Sequence, residues 1–223
     1  MEAELRFHNI PDWVIGLLWL SLVLISLSKM AYPQRHLSFS NLINHNKYVF
    51  VYNKKQAFLH PFQWLWGFFA MINCSLFIFF FAPILFENAA INGLNYWHYF
   101  ALIGVFVVVK PILQNIHGWL FGNKKLLNEI IFKKNSFFNY CSMILFTANI
   151  LFTANILFAF VPLNAKFLFY SSLFLCIIVT LIGWILILRN YQKYILHNVF
   201  YFILYLCALE IVPFLIIVSI FNT

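Results

Sequence analysis

Charge is what this sequence has least of: Asp, Glu, Lys and Arg make up 9% of its 223 residues, against roughly 25% in an ordinary soluble domain. Only six residues are acidic, and one of them, Glu210, lies inside an apolar run. Paired-carboxylate and two-metal chemistry therefore have little material. The four cysteines, Cys74, Cys141, Cys176 and Cys207, fall within hydrophobic segments and form no CxxC pair. That spacing gives no support to a disulfide framework or a cysteine metal site, and the thiols read as small apolar packing groups. The seven histidines show no HxxxH or HExxH spacing, and neither a G-x-S-x-G nucleophile turn nor a Walker-type phosphate loop occurs. No cofactor or metal is expected, and the balance leans away from an enzyme.

What the chain has in abundance is apolar surface: 64% hydrophobic residues, 29 of them Phe, and a mean hydropathy of +0.87. A soluble fold cannot hide that much. The apolar residues lie in long runs that do not alternate with polar ones, as in 77–85 and 173–188, which excludes the alternating strands of an outer-membrane barrel. The pattern predicts an all-α, polytopic membrane helix bundle. It forms a single domain over 1–223, with about six transmembrane helices at about 13–31, 61–86, 96–120, 137–161, 167–188 and 199–221. Each is long enough for a hydrocarbon core of about 30 Å at 1.5 Å per residue. Glu2, Glu4 and Asp12 before the first run, and Lys29, Pro33 and Arg35 after it, differ from a signal peptide and its cleavage site, so this helix is expected to remain in the mature protein. Pro61 suits a first helical turn. Trp64 and Trp66 sit where interfacial aromatics anchor. The end of the third run is ambiguous because Lys110, Pro111, Gln114 and His117 interrupt it.

The net charge of +8 is spread over short loops beside the runs and not gathered in one basic domain, so nucleic acid is not the expected partner. Of the 14 Lys and Arg, all but Arg6 and Lys166 fall on one side of the predicted topology. The positive-inside rule then places both termini on the non-cytoplasmic side and supports an even number of crossings. The longest basic loop, about 32–60, contains Arg35, His36, His45, Lys47, Lys54 and Lys55. It reads as a segment lying on anionic headgroups or, more sharply, as a docking surface for a cytoplasmic partner.

Polar residues inside the runs are the candidate functional positions. Glu210 is flanked by Leu206 and Leu209 on one side and by Ile211 and Pro213 on the other. A carboxylate at that depth needs a proton or a partner, and Pro213 frees a backbone carbonyl close to it. Lys110 is the candidate partner. Lys110, Gln114 and His117 fall at i, i+4 and i+7, one face of a helix, which reads as a polar path toward the cytoplasm or as a helix end facing headgroups and neighbours. Asn73, Asn149, Thr153 and Asn155 read as helix-packing contacts. The tandem ILFTAN copies at 144–149 and 150–155 are six residues apart; at about 100° per residue they point about 120° apart and cannot form one stripe.

The closing segment FYFILYLCALEIVPFLII at 200–217, the first helix followed by Lys29 and Pro33, and the stretch 48–62 with His60, Pro61 and Phe62 together resemble a family of small polytopic inner-membrane proteins of Bacteroidota catalogued as a domain of unknown function. The resemblance covers nearly the whole chain and implies a multi-helix domain in a bacterial inner membrane, without catalytic residues. The ILFTAN duplication departs from its usual pattern. Taken together, the expectation is a non-catalytic subunit or accessory factor of a larger membrane complex, such as one for protein export or envelope assembly. Its partners would be the lipid bilayer and either another membrane protein or a second copy. A small proton- or ion-coupled transporter using Glu210 is the alternative. A lipid enzyme with polar groups near His60, His117 and Lys124 comes third.

Overall fold

The structure is a computed structural model that describes residues 11–42, 60–85, 95–120, 124–158 and 164–197. Among these, every regular element is a helix: α1 (Asp12–Ala31), α2 (Pro33–Ser40), α3 (Pro61–Leu85), α4 (Tyr96–Leu120), α5 (Lys124–Phe158) and α6 (Ala165–His197). All but α2 contain a stretch long and apolar enough to cross a membrane. The sixth predicted run, 199–221, with Glu210 and Pro213, lies outside the described residues.

Local sequence explains several boundaries. Pro33 opens α2 and forces Tyr32 before it out of the helical region, to φ −138° and ψ 62°, so α1 ends there. α5 begins at Lys124, well before the expected start near 137, because no Pro or Gly interrupts the 35 residues from there to Phe158. The stretch expected as a cytoplasmic loop is therefore helical, and so is the beginning of the loop expected at 32–60. α6 likewise continues past 188 to His197. α4 runs unbroken to Leu120 although Pro111 lies within it.

Helix α3 touches each of the other four long helices, and α5 packs against α3, α4 and α6. These two form the centre: 56% and 50% of their spanning residues are buried, against 17–22% in α1, α4 and α6. The outer helices turn Trp19, Val105 and Ile185 outward, as helices facing lipid do. Successive long helices alternate in direction. At one end Trp13 of α1 meets Phe79 of α3 and Tyr96 of α4, and Phe81 of α3 meets Phe152 of α5 and Phe169 of α6. At the other end the termini of α1, α2, α3, α4, α5 and α6 gather with Lys29, Arg35, Lys110, Lys133, Lys134 and Arg189, while Lys166 alone among the described basic residues sits at the aromatic end.

Polar groups tie the helices across their apolar interfaces. Asn73 of α3 donates from Nδ2 to Ser21 Oγ of α1 (3.2 Å) and to the Phe69 carbonyl (2.9 Å). Asn149 of α5 donates to the Asn73 carbonyl at 3.0 Å. Ser75 Oγ and Tyr96 Oη, 3.0 Å apart, join α3 to α4. Cys141 and Cys176 face each other across α5 and α6, each thiol against the other's carbonyl at 3.7 and 3.8 Å. The ILFTAN copies face different ways, as their spacing requires: Leu145 is buried and its counterpart Leu151 exposed, Thr147 exposed and its counterpart Thr153 buried.

Candidate functional site

Toward the basic end, α3, α4, α5 and α6 line a cavity of about 750 Å³. α3 contributes its first three turns, with Gln63, Trp64, Gly67, Phe68 and Met71; α4 contributes Phe106 to Gln114 except Val109 and Leu113; α5 contributes Phe132, Lys134, Asn135 and Phe137 to Asn139; α6 contributes Thr180, Gly183, Trp184 and Ile187. The wall is mainly apolar and aromatic, with two lysines and several amides set into it. No Asp or Glu is among the described residues that line it.

Each polar group is positioned by its helix. Lys110 and Gln114, one turn apart on α4, both reach the cavity, and Gln114 is 1% exposed. Lys110 Nζ lies 5.0 Å from the centre of the Phe106 ring one turn earlier, and Lys134 Nζ lies 4.8 Å from that of Trp184 on α6. A cation over an aromatic face gains about 0.5–2 kcal/mol, depending on how far it is removed from water. The adjacent Lys133 turns toward α6. Fully buried, it donates from Nζ to the Leu186 carbonyl of α6 at 3.1 Å. Asn139 donates to Gln63 Oε1 at 3.3 Å and bridges α5 to α3.

Two backbone features shape the space. Pro111 has no N–H for the carbonyl four residues earlier, so Val107 loses its usual helical donor where both residues line the cavity. At Gly183, a Cβ would stand 2.8 Å from the Phe137 ring, so only glycine lets α5 and α6 approach as they do. Gly67 is the opposite case: a Cβ there would meet nothing within 4 Å.

Beside the cavity, α2 docks on α3. Phe39 packs on Trp66 at 4.6 Å between ring centres, and His36 Nδ1 lies 3.1 Å from Ser28 Oγ. His60 accepts the Phe62 N–H at Nδ1 (3.2 Å) and meets the Tyr32 ring edge-on. Partial burial, helped by the charge of Lys29, holds His36 below its ordinary imidazole pKa; His60 is lowered by burial and by Arg35. Trp66, expected as an interfacial anchor, is instead 2% exposed in this core, whereas Trp64 is 65% exposed. The reason is helical phase: two residues apart on α3, the rings point about 160° apart.

Of the sequence-derived candidates, Lys110 and Gln114 are brought together at the cavity. His117 lies on α4 with its side chain outside the described set, and Glu210 lies outside it altogether. Lys134, Asn135, Asn139, Gln63 and Trp184 are cavity residues that sequence reasoning missed. The signal that could have found Lys134 and Asn135 is the Pro- and Gly-free stretch from Lys124 to Phe158, which makes 124–136 an extension of a spanning helix. Among the described residues, no group of three or more His, Cys, Asp or Glu side chains is placed to hold a metal ion.

Five long apolar helices packed as a bundle define the class: a helical, multi-pass membrane protein. Within that class the chain belongs to the family described as a domain of unknown function (DUF4271), whose model matches residues 14–221. No curated protein and no solved structure matches it.

Proposed function

We propose that this chain is a non-catalytic component of a larger assembly in a bacterial inner membrane, with both termini in the periplasm and the basic end of the bundle at the cytoplasm. The observation that supports it most is how the spanning helices use their polar side chains. Ser21, Asn73, Asn149 and Lys133 all bond to another helix, which fixes packing, while the side-chain oxygens of Asn73 and Asn149 stay buried without a hydrogen-bond partner. The outer faces of α1, α4 and α6 stay apolar and exposed, a surface that suits lipid or further membrane helices. The gathering of Lys and Arg at one end supports the orientation through the positive-inside rule. Purification of the tagged chain from its native membrane in mild detergent, followed by mass spectrometry, tests this reading. A defined companion at near-equal amounts is the expected result, and a chain that emerges alone contradicts it.

A small proton- or ion-coupled transporter is the second reading, favoured by the convergence of Lys110 and Gln114 on a cavity between four helices. It requires Glu210→Gln to abolish transport at normal protein level. Loss of the protein itself would mark a structural carboxyl.

A further inference from the structure

We propose that Cys141 of α5 and Cys176 of α6 are an oxidation site, at which a lipid-soluble hydroperoxide converts the two thiols to a disulfide that joins the helices inside the bilayer. Three observations point to this chemistry.

The first is opposition. Cys141 Sγ lies 3.7 Å from the Cys176 carbonyl oxygen, and Cys176 Sγ lies 3.8 Å from the Cys141 carbonyl oxygen. Each thiol reaches the other's backbone, which sets the two residues face to face, as the short Cβ separation of a disulfide requires. Nearby hydroxyls behave differently. Ser142 bonds back to Asn139, Ser172 to Phe169 and Thr180 to Cys176, each within its own helix. The two thiols cross the gap instead.

The second observation is the closeness of the interface. One turn along α5 from Cys141, the Phe137 ring lies so near Gly183 of α6 that a Cβ there would stand 2.8 Å from it. Helices held this close leave the sulfurs only a short distance to travel.

The third is unequal access. Cys141 is buried, whereas Cys176 is half-buried and sits between Leu175 and Ile177, which are 50% and 54% exposed on the outer side of α6. A hydroperoxide dissolved in the bilayer therefore meets Cys176 first. The Cys176 thiolate attacks the terminal peroxide oxygen, the O–O bond breaks, and the thiol proton passes to the departing alkoxide, leaving a sulfenic acid and an alcohol. The Cys141 sulfur then attacks that of Cys176. The S–S bond forms, and the Cys141 proton leaves with the hydroxyl as water. Two electrons have passed from the thiols to the peroxide, and neither the thiol pair nor the disulfide carries charge, which suits a site away from water.

Cumene hydroperoxide added to the protein in phosphatidylcholine vesicles tests the proposal. Trypsin places the four cysteines on four different peptides, with Cys141 on 135–166 and Cys176 on 167–189, so mass spectrometry after thiol alkylation assigns any link. The expected result is a dithiothreitol-reversible link between those two peptides, kept in Cys74→Ser and lost in Cys141→Ser and in Cys176→Ser. In Cys141→Ser, Cys176 should accumulate as a sulfenic acid trapped by dimedone, while Cys141 should stay reduced in Cys176→Ser. That order of attack is a readout that packing alone would not produce. Wild-type thiols that both remain open to alkylation overturn the proposal, as does a link that joins Cys74 in place of either residue. A link that forms equally in protein unfolded in SDS also overturns it, since the folded geometry would then have no part in the reaction.

Discussion

The two ends of the bundle use the same helices in opposite ways. At the aromatic end α3, α5 and α6 meet through rings: Phe77 stacks on Phe169 at 5.4 Å with an interplanar angle of 13°, and Phe81 lies 4.7–5.4 Å from Phe77, Phe152 and Phe169. Toward the basic end the same three helices line, with α4, a cavity whose wall includes lysines and amides, although α5 and α6 stay close at Gly183 and Phe137. In a membrane, apolar side chains gain nothing from leaving water when helices associate, so contact density decides which regions hold together. The aromatic end is the clamp, and the basic end can be left open because the clamp and the polar links fix the helices.

This contrast sets the order of expected effects. Phe81→Ala removes a ring that is 1% exposed and should cost about 3 kcal/mol in reversible unfolding from detergent. Phe68→Ala, at the cavity rim, should cost below about 1 kcal/mol. Equal costs would erase the distinction between the ends. Gly183→Ala comes next, at about 2 kcal/mol, since its Cβ would meet the Phe137 ring at 2.8 Å. A double-mutant cycle with Phe137→Leu should recover part of that loss, and additive losses would show that the close approach is not the cause.

Asn73→Ala should cost about 0.6 kcal/mol, the average for hydrogen bonds between membrane helices. Because Ser21 accepts one of its bonds, a cycle with Ser21→Ala should show coupling. The smallest effect is on α2. His36 and His60 have lowered pKa values, so the docked state favours their neutral form. Above the unfolded pKa of about 6.5 both states are neutral and docking is at full strength. As pH falls below that, the undocked state takes up more protons and docking weakens. The protection factors of amides 33–40, taken relative to the intrinsic exchange rate at each pH, should therefore fall as pH drops from about 6.5 to 5.5, and His36→Gln should flatten the change.

Much of this fold is legible in the sequence. Long unbroken apolar runs dictate helices, and Lys110 with Gln114 announces one polar face of α4. Legibility fails where hydropathy and helix diverge. Lys133 and Lys134 look like loop residues by charge, yet nothing between Lys124 and Phe158 breaks a helix, and the flanking Ile130, Ile131 and Phe137 bury its inner face. The burial of Trp66 escapes a reading by composition, because composition says nothing about phase. The pairing of Lys134 with Trp184 links residues 50 positions apart on different helices, which no local pattern encodes.

The central claim is that a cavity lies toward the basic end while the aromatic end is closed; in the proposed orientation the basic end faces the cytoplasm. Cysteine labelling tests it most directly, comparing Asn135→Cys on the cavity wall with Ala148→Cys, buried near the aromatic clamp, in a chain whose native cysteines are replaced by Ala. With a membrane-impermeant maleimide, Asn135→Cys should react readily in inverted vesicles and not in intact spheroplasts, and Ala148→Cys should react in neither. Equal reactivity at the two positions, or labelling of Asn135→Cys only from the periplasmic side, would contradict the account.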